Sequence, residues 1–288
     1  MRKDNKQAIL FLLPMIIIMI GLVFYPITKT FFYSLKQYKL TDASNAKFIG
    51  FDNYIEILKS NAFHEAVINT LLVIVVVLVI GFIFSIVVAL MLNVKTKISG
   101  LLTAIAIIPW ALPPIVNGQM WKFVFYPGYG LVNKLLLNLD IISEPIKWFD
   151  SRFGTLIIIG FIVAWRVIPF CAILILANMQ SIPKTVYEAA SIDGASNVQI
   201  FRNITFPMIM PSLVVVLTNL TMTAINVFDE IVALVGYRSM GQTLLIYNYT
   251  ETFSFLNFGL GSAITYIIMI GSGIFGYFYI RNMNKGGV

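Results

Sequence analysis

Long runs of apolar residues dominate the chain and are separated by short polar segments. A membrane-spanning helix needs roughly 20 consecutive apolar residues, and a lone strand in lipid would leave backbone groups unpaired. The pattern therefore predicts an all-α integral membrane protein that forms one domain over residues 1–288. The six predicted transmembrane helices cover about residues 8–28, 68–93, 98–121, 154–179, 207–230 and 254–280.

The composition supports this prediction and excludes several kinds of site. Hydrophobic residues make up 59% of the chain and charged residues 11%, whereas a soluble domain carries about 25% charge. The net charge of +7 comes from scattered basic residues, which we interpret as topology signals and not as a nucleic-acid surface. With His64 as its single histidine and Cys171 as its single cysteine, the chain cannot by itself supply a structural zinc site or a histidine-based catalytic triad.

The basic residues also predict an orientation. A count over all loops does not decide it, but Lys95 and Lys97 lie in a short loop, where the positive-inside rule carries most weight. We therefore predict that this loop and both termini are cytoplasmic. The first apolar run begins after a basic segment, as a signal peptide does. It is nevertheless too long for one, and Phe24-Tyr25-Pro26 is not a small-residue cleavage site.

The segment between the fourth and fifth predicted spans, residues 181–206, has its own local pattern. Pro183 suits the first turn of a helix, and Asp193-Gly194 is typical of a turn with a positive φ at the glycine. Ser196-x-x-Gln199 matches a capping box that begins a second short helix. The segment therefore predicts a helix–turn–helix at the cytoplasmic face with small residues near its bend.

This segment resembles a known signature. It consists of Glu188-Ala189-Ala190, three residues, Gly194, nine residues and then Ile204-x-Phe206-Pro207. This pattern is similar to the "EAA" signature of binding-protein-dependent ABC import permeases, in which leucine usually stands where Phe206 does. The resemblance implies the type I ABC importer permease fold in a prokaryotic plasma membrane, with this segment as a coupling helix. It implies contact with an ATP-binding subunit through Glu188, Ala189, Ala190, Asp193 and Gly194. The alternative is an ordinary amphipathic loop.

Three further stretches resemble the maltose and glycerol-3-phosphate type of permease, the carbohydrate-uptake branch. They are FIGFDNYIEIL at Phe48–Leu58, NTLLV at the start of the second predicted span, and the sequence around the signature. The resemblance implies import of a sugar, oligosaccharide or sugar derivative. It also implies four kinds of partner: a second homologous permease subunit, two ATP-binding subunits, an extracytoplasmic solute-binding protein and membrane lipid.

The chain lacks a Gly-x-x-x-x-Gly-Lys-Ser/Thr phosphate-binding loop. We therefore expect it to bind no cofactor, to catalyse no reaction by itself, and to depend on ATP hydrolysed by partner subunits. One alternative keeps the same machinery but changes the solute to glycerol-3-phosphate, a peptide or a polyamine. A second alternative is an ion-coupled transporter, in which Asp229 and Glu230 would carry the ion. A membrane-embedded enzyme is disfavoured because no nucleophile or metal cluster is visible.

Polar residues inside the predicted spans are candidates for a solute pathway. On a continuous helix, five of them fall within about 60° of one another, and a polar stripe of this kind either lines a pathway or bonds to another helix. The candidates are Ser212, Asn219, Thr223, Asn226 and Glu230. Arg166 lies near the middle of the fourth span, where an unpaired charge is costly. We expect it to form an ion pair with Asp229 or Glu230 or to bond to backbone carbonyls, with direct solute contact as the alternative.

Overall fold

The computed structural model describes residues 2–94 and 96–286, so Lys95, one of the two residues used to predict the orientation, lies outside the described residues. These residues form sixteen α-helices. Helices α1–α8 span Arg2–Met19, Tyr25–Ser34, Asp52–Lys59, Asn61–Leu92, Ser99–Ala106, Ile108–Ala111, Pro114–Val124 and Leu131–Asn138. Helices α9–α16 span Arg152–Ser181, Lys184–Ile192, Asn197–Ile200, Phe206–Met208, Met210–Ile225, Asp229–Val235, Leu244–Tyr249 and Phe258–Gly286.

Short π-helical and 3₁₀ turns and one strand pair complete the chain. The π-helical turns cover Ile20–Phe24, Phe201–Thr205 and Thr250–Ser254, and the 3₁₀ turns cover Leu40–Asn45 and Ser239–Gly241. Strand β1 (Lys36–Gln37) pairs antiparallel with β2 (Lys47–Phe48). The described chain divides into two compact units, residues 2–64 with 247–270, and residues 65–246 with 271–286.

The first unit contains a long exposed helix. Helix α1 continues through a π-helical turn into α2, and every side chain from Phe11 to Lys29 is exposed. Because this surface is almost entirely apolar, lipid or another protein must cover it in a membrane. Its apolar pattern is therefore explained by the surroundings of the chain and not by a core within it.

The first unit also explains the FIGFDNYIEIL stretch. Gly50 adopts a φ of +60°, a conformation that glycine reaches without steric cost, and α3 begins two residues later. Asn53 on α3 is buried, and its amide donates to the backbone oxygens of Ser34 at 2.8 Å and Lys36 at 2.9 Å. The hydroxyl of Tyr54 lies 2.7 Å from that of Ser34. These contacts fasten α3 to the end of α2.

The second unit has its core around α9. Helix α9 is buried along most of its length, and it packs against α13, α6, α7 and α14. Ser85 on α4 also donates a hydrogen bond of 3.3 Å to the backbone oxygen of Ile168 on α9. The largest fully buried side chains of this unit include Leu156, Ile159, Ile162, Ile175, Leu213, Leu220 and Ile231.

The third and fifth predicted spans are bent in the structure. Helix α7 makes an angle of 93° with the preceding helical segment Ser99–Ala111. The bend has a local cause: Leu112 and Pro113 each precede a proline, which disfavours the helical conformation, and both are extended, with ψ of 132° and 138°. The segments Asn197–Met208 and Met210–Ile225 meet at 70° beside Pro207 and Pro211.

The fifth predicted span, residues 207–230, is not one continuous helix in the structure. Helix α13 ends at Ile225, and Phe228 leaves the helical conformation with φ of −140° before α14 begins at Asp229. Four described helical segments are long and apolar enough to cross a membrane, and the number rises to six if each bent pair is one span.

Candidate functional site

The segment with the signature forms a sharp bend between α10 and α11. At the end of α10, the backbone N–H of Ala195 donates to the oxygen of Ala190 at 3.0 Å, and that of Gly194 donates to Ser191 at 3.1 Å. This pattern is a helix end of the Schellman type, which needs a left-handed residue. Gly194 supplies it with φ of +74°. The predicted turn is therefore present, and its conformation favours glycine.

The capping box predicted for the second short helix is confirmed. The Ser196 hydroxyl accepts from the backbone N–H of Gln199 at 3.4 Å, and the Gln199 side chain accepts from the backbone N–H of Ser196 at 2.8 Å. On the other side of the bend, the hydroxyl of Tyr187 lies 3.3 Å from that of Thr205. This contact links α10 to the chain that leads into α13, so the loop is fixed on both sides of the bend.

The surface of the bend is exposed and partly apolar. Glu188, Ala189, Asp193 and Gly194 are exposed, whereas Ala190 is 8% exposed and is turned towards the protein. Two further exposed residues, which do not belong to the signature, lie beside the bend. They are Ile192, 86% exposed, and Val198, 75% exposed. Exposed branched apolar side chains on both sides of a bend are typical of a surface that another protein covers.

Arg166 and Glu230 form an ion pair within the second unit. The Nε of Arg166 lies 2.8 Å from Oε1 of Glu230, and the two side chains are 15% and 3% exposed. Of the two acids proposed as partners, the structure therefore brings Glu230 to Arg166, while Asp229 is exposed. Helix α14 carries Glu230 close to α7: a Cβ on Gly118 would lie 2.6 Å from Cβ of Ala233.

Further buried polar atoms lie on α7, the helix that packs against α14. Asn117 on α7 is fully buried and donates to the backbone oxygen of Ile162 at 3.4 Å. Its Oδ1 has no hydrogen-bond partner within the described residues, and neither has the indole nitrogen of Trp121 one turn later. The middle of this unit is therefore more polar than a lipid-facing helix bundle requires.

The five-residue polar stripe is not continuous, because Glu230 lies on α14 and not on α13. The other four residues remain on or at the end of α13, over about 21 Å at 1.5 Å per residue. Asn219 accepts a weak bond of 3.8 Å from the Cys171 thiol on α9, and Asn226 is exposed and donates to Met222 on its own helix. Ser212 and Thr223 are half-buried. The candidate pathway residues that remain on or at the end of α13 are Ser212, Asn219, Thr223 and Asn226.

A separate polar cavity of about 480 Å³ lies within the first unit. Glu251 lines it together with Glu56 and Lys39. Burial raises the pKa of the Glu251 carboxyl, the negative charge of Glu56 raises it further, and Lys39 offsets part of the effect. This cavity gives no signal in the sequence, because Glu56 and Glu251 are far apart in the chain.

Comparison with known proteins gives the class of this protein. Residues 81–286 match the family described as binding-protein-dependent transport system inner membrane component. The chain belongs to this family, and it is the membrane-embedded permease subunit of an ABC importer.

Two relatives show how far the similarity extends. The chain is 33% identical to the trehalose/maltose transport system permease protein MalF of Thermococcus litoralis, over 93% of this chain and 90% of the relative. It is also 33% identical to the sulfoquinovosyl glycerol transport system permease protein SmoG of Agrobacterium fabrum, over 92% of this chain and 86% of the relative. Both relatives are carbohydrate-uptake permeases by name.

A solved structure agrees with the fold. The chain superimposes with a TM-score of 0.85 on a chain of a bacterial ABC transporter that imports the acidic polysaccharide alginate. The sequence identity is 23%, and the match covers 98% of this chain and 96% of the other. The protein therefore has the type I ABC importer permease fold.

Proposed function

We propose that this permease imports a sugar or a sugar derivative. The support is the similarity over almost the whole chain to permeases named for trehalose and maltose and for sulfoquinovosyl glycerol. The FIGFDNYIEIL stretch, which resembles the carbohydrate-uptake branch, also forms an ordered element here. The test is uptake by vesicles that contain the complete transport system, with trehalose, an acidic monosaccharide and an amino acid as solutes. Uptake of the amino acid alone would contradict the proposal.

The bend around Gly194 is the proposed contact with an ATP-binding subunit. Its exposed residues Glu188, Ala189, Asp193 and Gly194 would meet the partner, and the exposed side chains of Ile192 and Val198 would add apolar contact on both sides. The buried Ala190 would instead allow the close packing that holds α10 in place. This exposed left-handed bend, at the spacing of the signature, is the single observation that carries the coupling proposal.

Coupling would then proceed by displacement of this bend. ATP is bound and hydrolysed by two separate subunits, and no cofactor is held by this chain. When those subunits change conformation, the bend moves with them, and the link from Tyr187 to Thr205 carries the displacement towards α13. A change of state of this kind requires the partner to bind the two conformations with different affinities.

The proposed arrangement in the membrane has six spans, with each bent pair counted as one and both termini in the cytoplasm. The exposed apolar surface of α1 and α2 would be covered by lipid and by a second homologous permease subunit. An extracytoplasmic solute-binding protein would deliver the solute to the opposite face. Ser212, Asn219, Thr223 and Asn226 are the proposed pathway residues, since they are polar and the structure leaves them half-buried or exposed.

The decisive experiment on coupling is the variant Gly194→Asp. An L-residue in the left-handed region costs roughly 1–2 kcal/mol, and the added side chain lies on the proposed contact surface. We expect membrane insertion at the normal level, loss of ATP-dependent uptake and weaker co-purification with the ATP-binding subunit. Asn197→Asp is the matched control, because it adds the same charge to the same loop at a helical position. Full uptake in Gly194→Asp, or an equal loss in the control, would refute the role of the bend.

A further inference from the structure

A cavity of about 470 Å³ lies within the second unit, away from the bend and from the polar residues of α13. It is lined by the end of α7, the segments 125–127 and 147–150, and the end of α14 with the residues that follow. We call it the aromatic pocket. Its volume falls in the range of about 300–1,000 Å³ that is common for small-molecule sites.

Aromatic rings form one wall of the aromatic pocket, and they are held in place. Phe125 packs edge-on against Trp148 with ring centroids 5.4 Å apart, and also against Phe149 with centroids 6.3 Å apart. Tyr126 lines the pocket beside them. Flat apolar ring faces beside charged side chains can stack against the apolar face of a sugar ring.

A single asparagine fixes the two segments that carry these rings. Asn133 on α8 is 1% exposed, and its amide donates to the backbone oxygens of Ile146 at 2.9 Å and Pro127 at 3.2 Å. Its Oδ1 accepts from the indole nitrogen of Trp148 at 3.1 Å. The Trp148 ring is therefore set in position before any ligand arrives, which reduces the entropy that binding must overcome.

The charges at the aromatic pocket are unbalanced. Lys122, Lys147 and Arg238 line it together with one acid, Asp150, so the lining carries a net charge of +2 from three cations and one anion. Lys122 donates to the backbone oxygen of Ala233 at 3.1 Å. Within residues 2–94 and 96–286, no carboxylate lies within 4.0 Å of the charged nitrogens of Lys147 or Arg238. Among the described residues, Lys147 and Arg238 therefore form no ion pair, and the single acid of the lining balances only one of the three cations.

We propose that the aromatic pocket binds a sugar ring that carries an acidic group, such as a uronic acid. The ring stacks on Trp148, and the acidic group bonds to Lys147 and Arg238. A flat ligand without charge leaves the two cations unpaired, and a small anion without a ring leaves the aromatic wall uncovered. The inference rests on the proposed function for the class of solute, and it adds that the transported or regulating sugar is acidic.

Binding is measured on the full chain in phosphatidylcholine nanodiscs, by the change in tryptophan fluorescence on titration with three probes. Glucuronate has ring and charge, glucose has the ring alone, and inorganic phosphate has the charge alone. We expect glucuronate to bind at least about tenfold more tightly than either of the others, since a hydrogen bond to a charged group contributes on that scale. Trp148→Phe should remove most of the fluorescence change.

The variants Lys147→Gln and Arg238→Gln should each weaken glucuronate binding about tenfold and leave glucose binding unchanged. Lys134→Gln is the matched control, because Lys134 is an exposed lysine of α8 that does not line the pocket. Equal affinity for glucose and glucuronate, or unchanged binding in both variants, would overturn the proposal. So would phosphate binding as tightly as glucuronate with competition by phosphatidylglycerol, which would identify a lipid headgroup as the ligand.

This experiment is independent of coupling, because it uses neither ATP nor partner subunits. Gly194→Asp should bind glucuronate as the unaltered chain does, even though it is expected to lose uptake. Loss of uptake with intact glucuronate binding would therefore support this inference. Intact uptake without a preference for glucuronate over glucose in binding would overturn the inference and leave the proposed transport function unaffected.

Discussion

The Arg166–Glu230 pair allows a quantitative test of what stabilises the second unit. Replacement of Glu230 by glutamine keeps the shape of the side chain but removes its charge, and Arg166 loses its acid partner. Removal of one member of a buried ion pair typically destabilises a protein by about 3–5 kcal/mol. Glu230 is 3% exposed but Arg166 is 15% exposed, and because water still reaches the arginine, the lower end of that range applies.

Local packing makes relaxation around this pair difficult. A Cβ on Gly118 would lie 2.9 Å from the backbone oxygen of Glu230, so α14 already contacts α7 closely. It cannot shift towards α7 to compensate for the unpaired charge of Arg166. We therefore expect a loss of about 3 kcal/mol for Glu230→Gln. If the ion pair is absent from the transition state for unfolding, the whole loss appears in the unfolding rate. The half-life at elevated temperature then falls about a hundredfold, since 1.36 kcal/mol corresponds to a factor of ten in rate.

The assay is the half-life of monodisperse protein in detergent at a fixed elevated temperature, because unfolding of such proteins is usually irreversible. Lys134→Gln is the control, and as an exposed substitution it should change the stability by less than about 0.5 kcal/mol. The double variant Arg166→Met with Glu230→Met should recover most of the loss, because a packed apolar pair can replace a buried ion pair.

Two results would refute this reasoning. One is a half-life of Glu230→Gln within the range of the control, and the other is a double variant as unstable as the single one. The double variant also separates the two interpretations of Arg166. A stable double variant that no longer transports would show that the pair acts in transport as well as in structure.

Three further predictions address other parts of the molecule. For Glu251, the folded-state pKa is raised by burial, so the folded state binds more protons and stability falls as the pH rises from the ordinary carboxyl pKa through the raised one. Glu251→Gln should remove this dependence in thermal unfolding measured from pH 4 to 8, and an unchanged profile would contradict it. Gly118→Ala should destabilise by about 1–3 kcal/mol through overpacking, as measured by thermal half-life, whereas Gly273→Ala, where a Cβ meets nothing within 4 Å, should not. Asn219→Leu with Asn226→Leu should impair uptake while leaving the yield of assembled complex unchanged, and normal uptake kinetics would favour a role in helix packing.

Local chemistry explains why the bend at Gly194 could be predicted from the sequence. The capping box of Ser196 and Gln199 and the left-handed turn at the glycine involve residues within a few positions of one another, and each residue type has a strong conformational preference. The exposure of Ile192 and Val198 could not be predicted in the same way. A single apolar residue in a loop does not reveal whether the fold covers it.

The end of α13 shows the limit of the helical pattern. Residues Asn226 to Phe228 include neither proline nor glycine, so neither of the strong helix breakers stands there. The termination coincides with tertiary contacts: Glu230 pairs with Arg166, and α14 packs closely on α7. A stripe drawn on one continuous helix therefore reaches too far, although Glu230 at its end is the partner of Arg166. Similarly, Pro113 and Pro114 explain the bend in the third predicted span once the structure is known, but the sequence does not predict its angle of 93°.

The side chain of Asn53 has a consequence for how this family branch can vary. Since its amide holds the oxygens of Ser34 and Lys36, the exit from the first long helix is secured before the chain reaches the exposed residues 41–45. Length changes in an exposed loop that is already closed at its base cost little, with about 0.6 kcal/mol for each doubling. The sequence and length of the loop between β1 and β2 can therefore change without loss of the hydrogen bonds that Asn53 makes at its base.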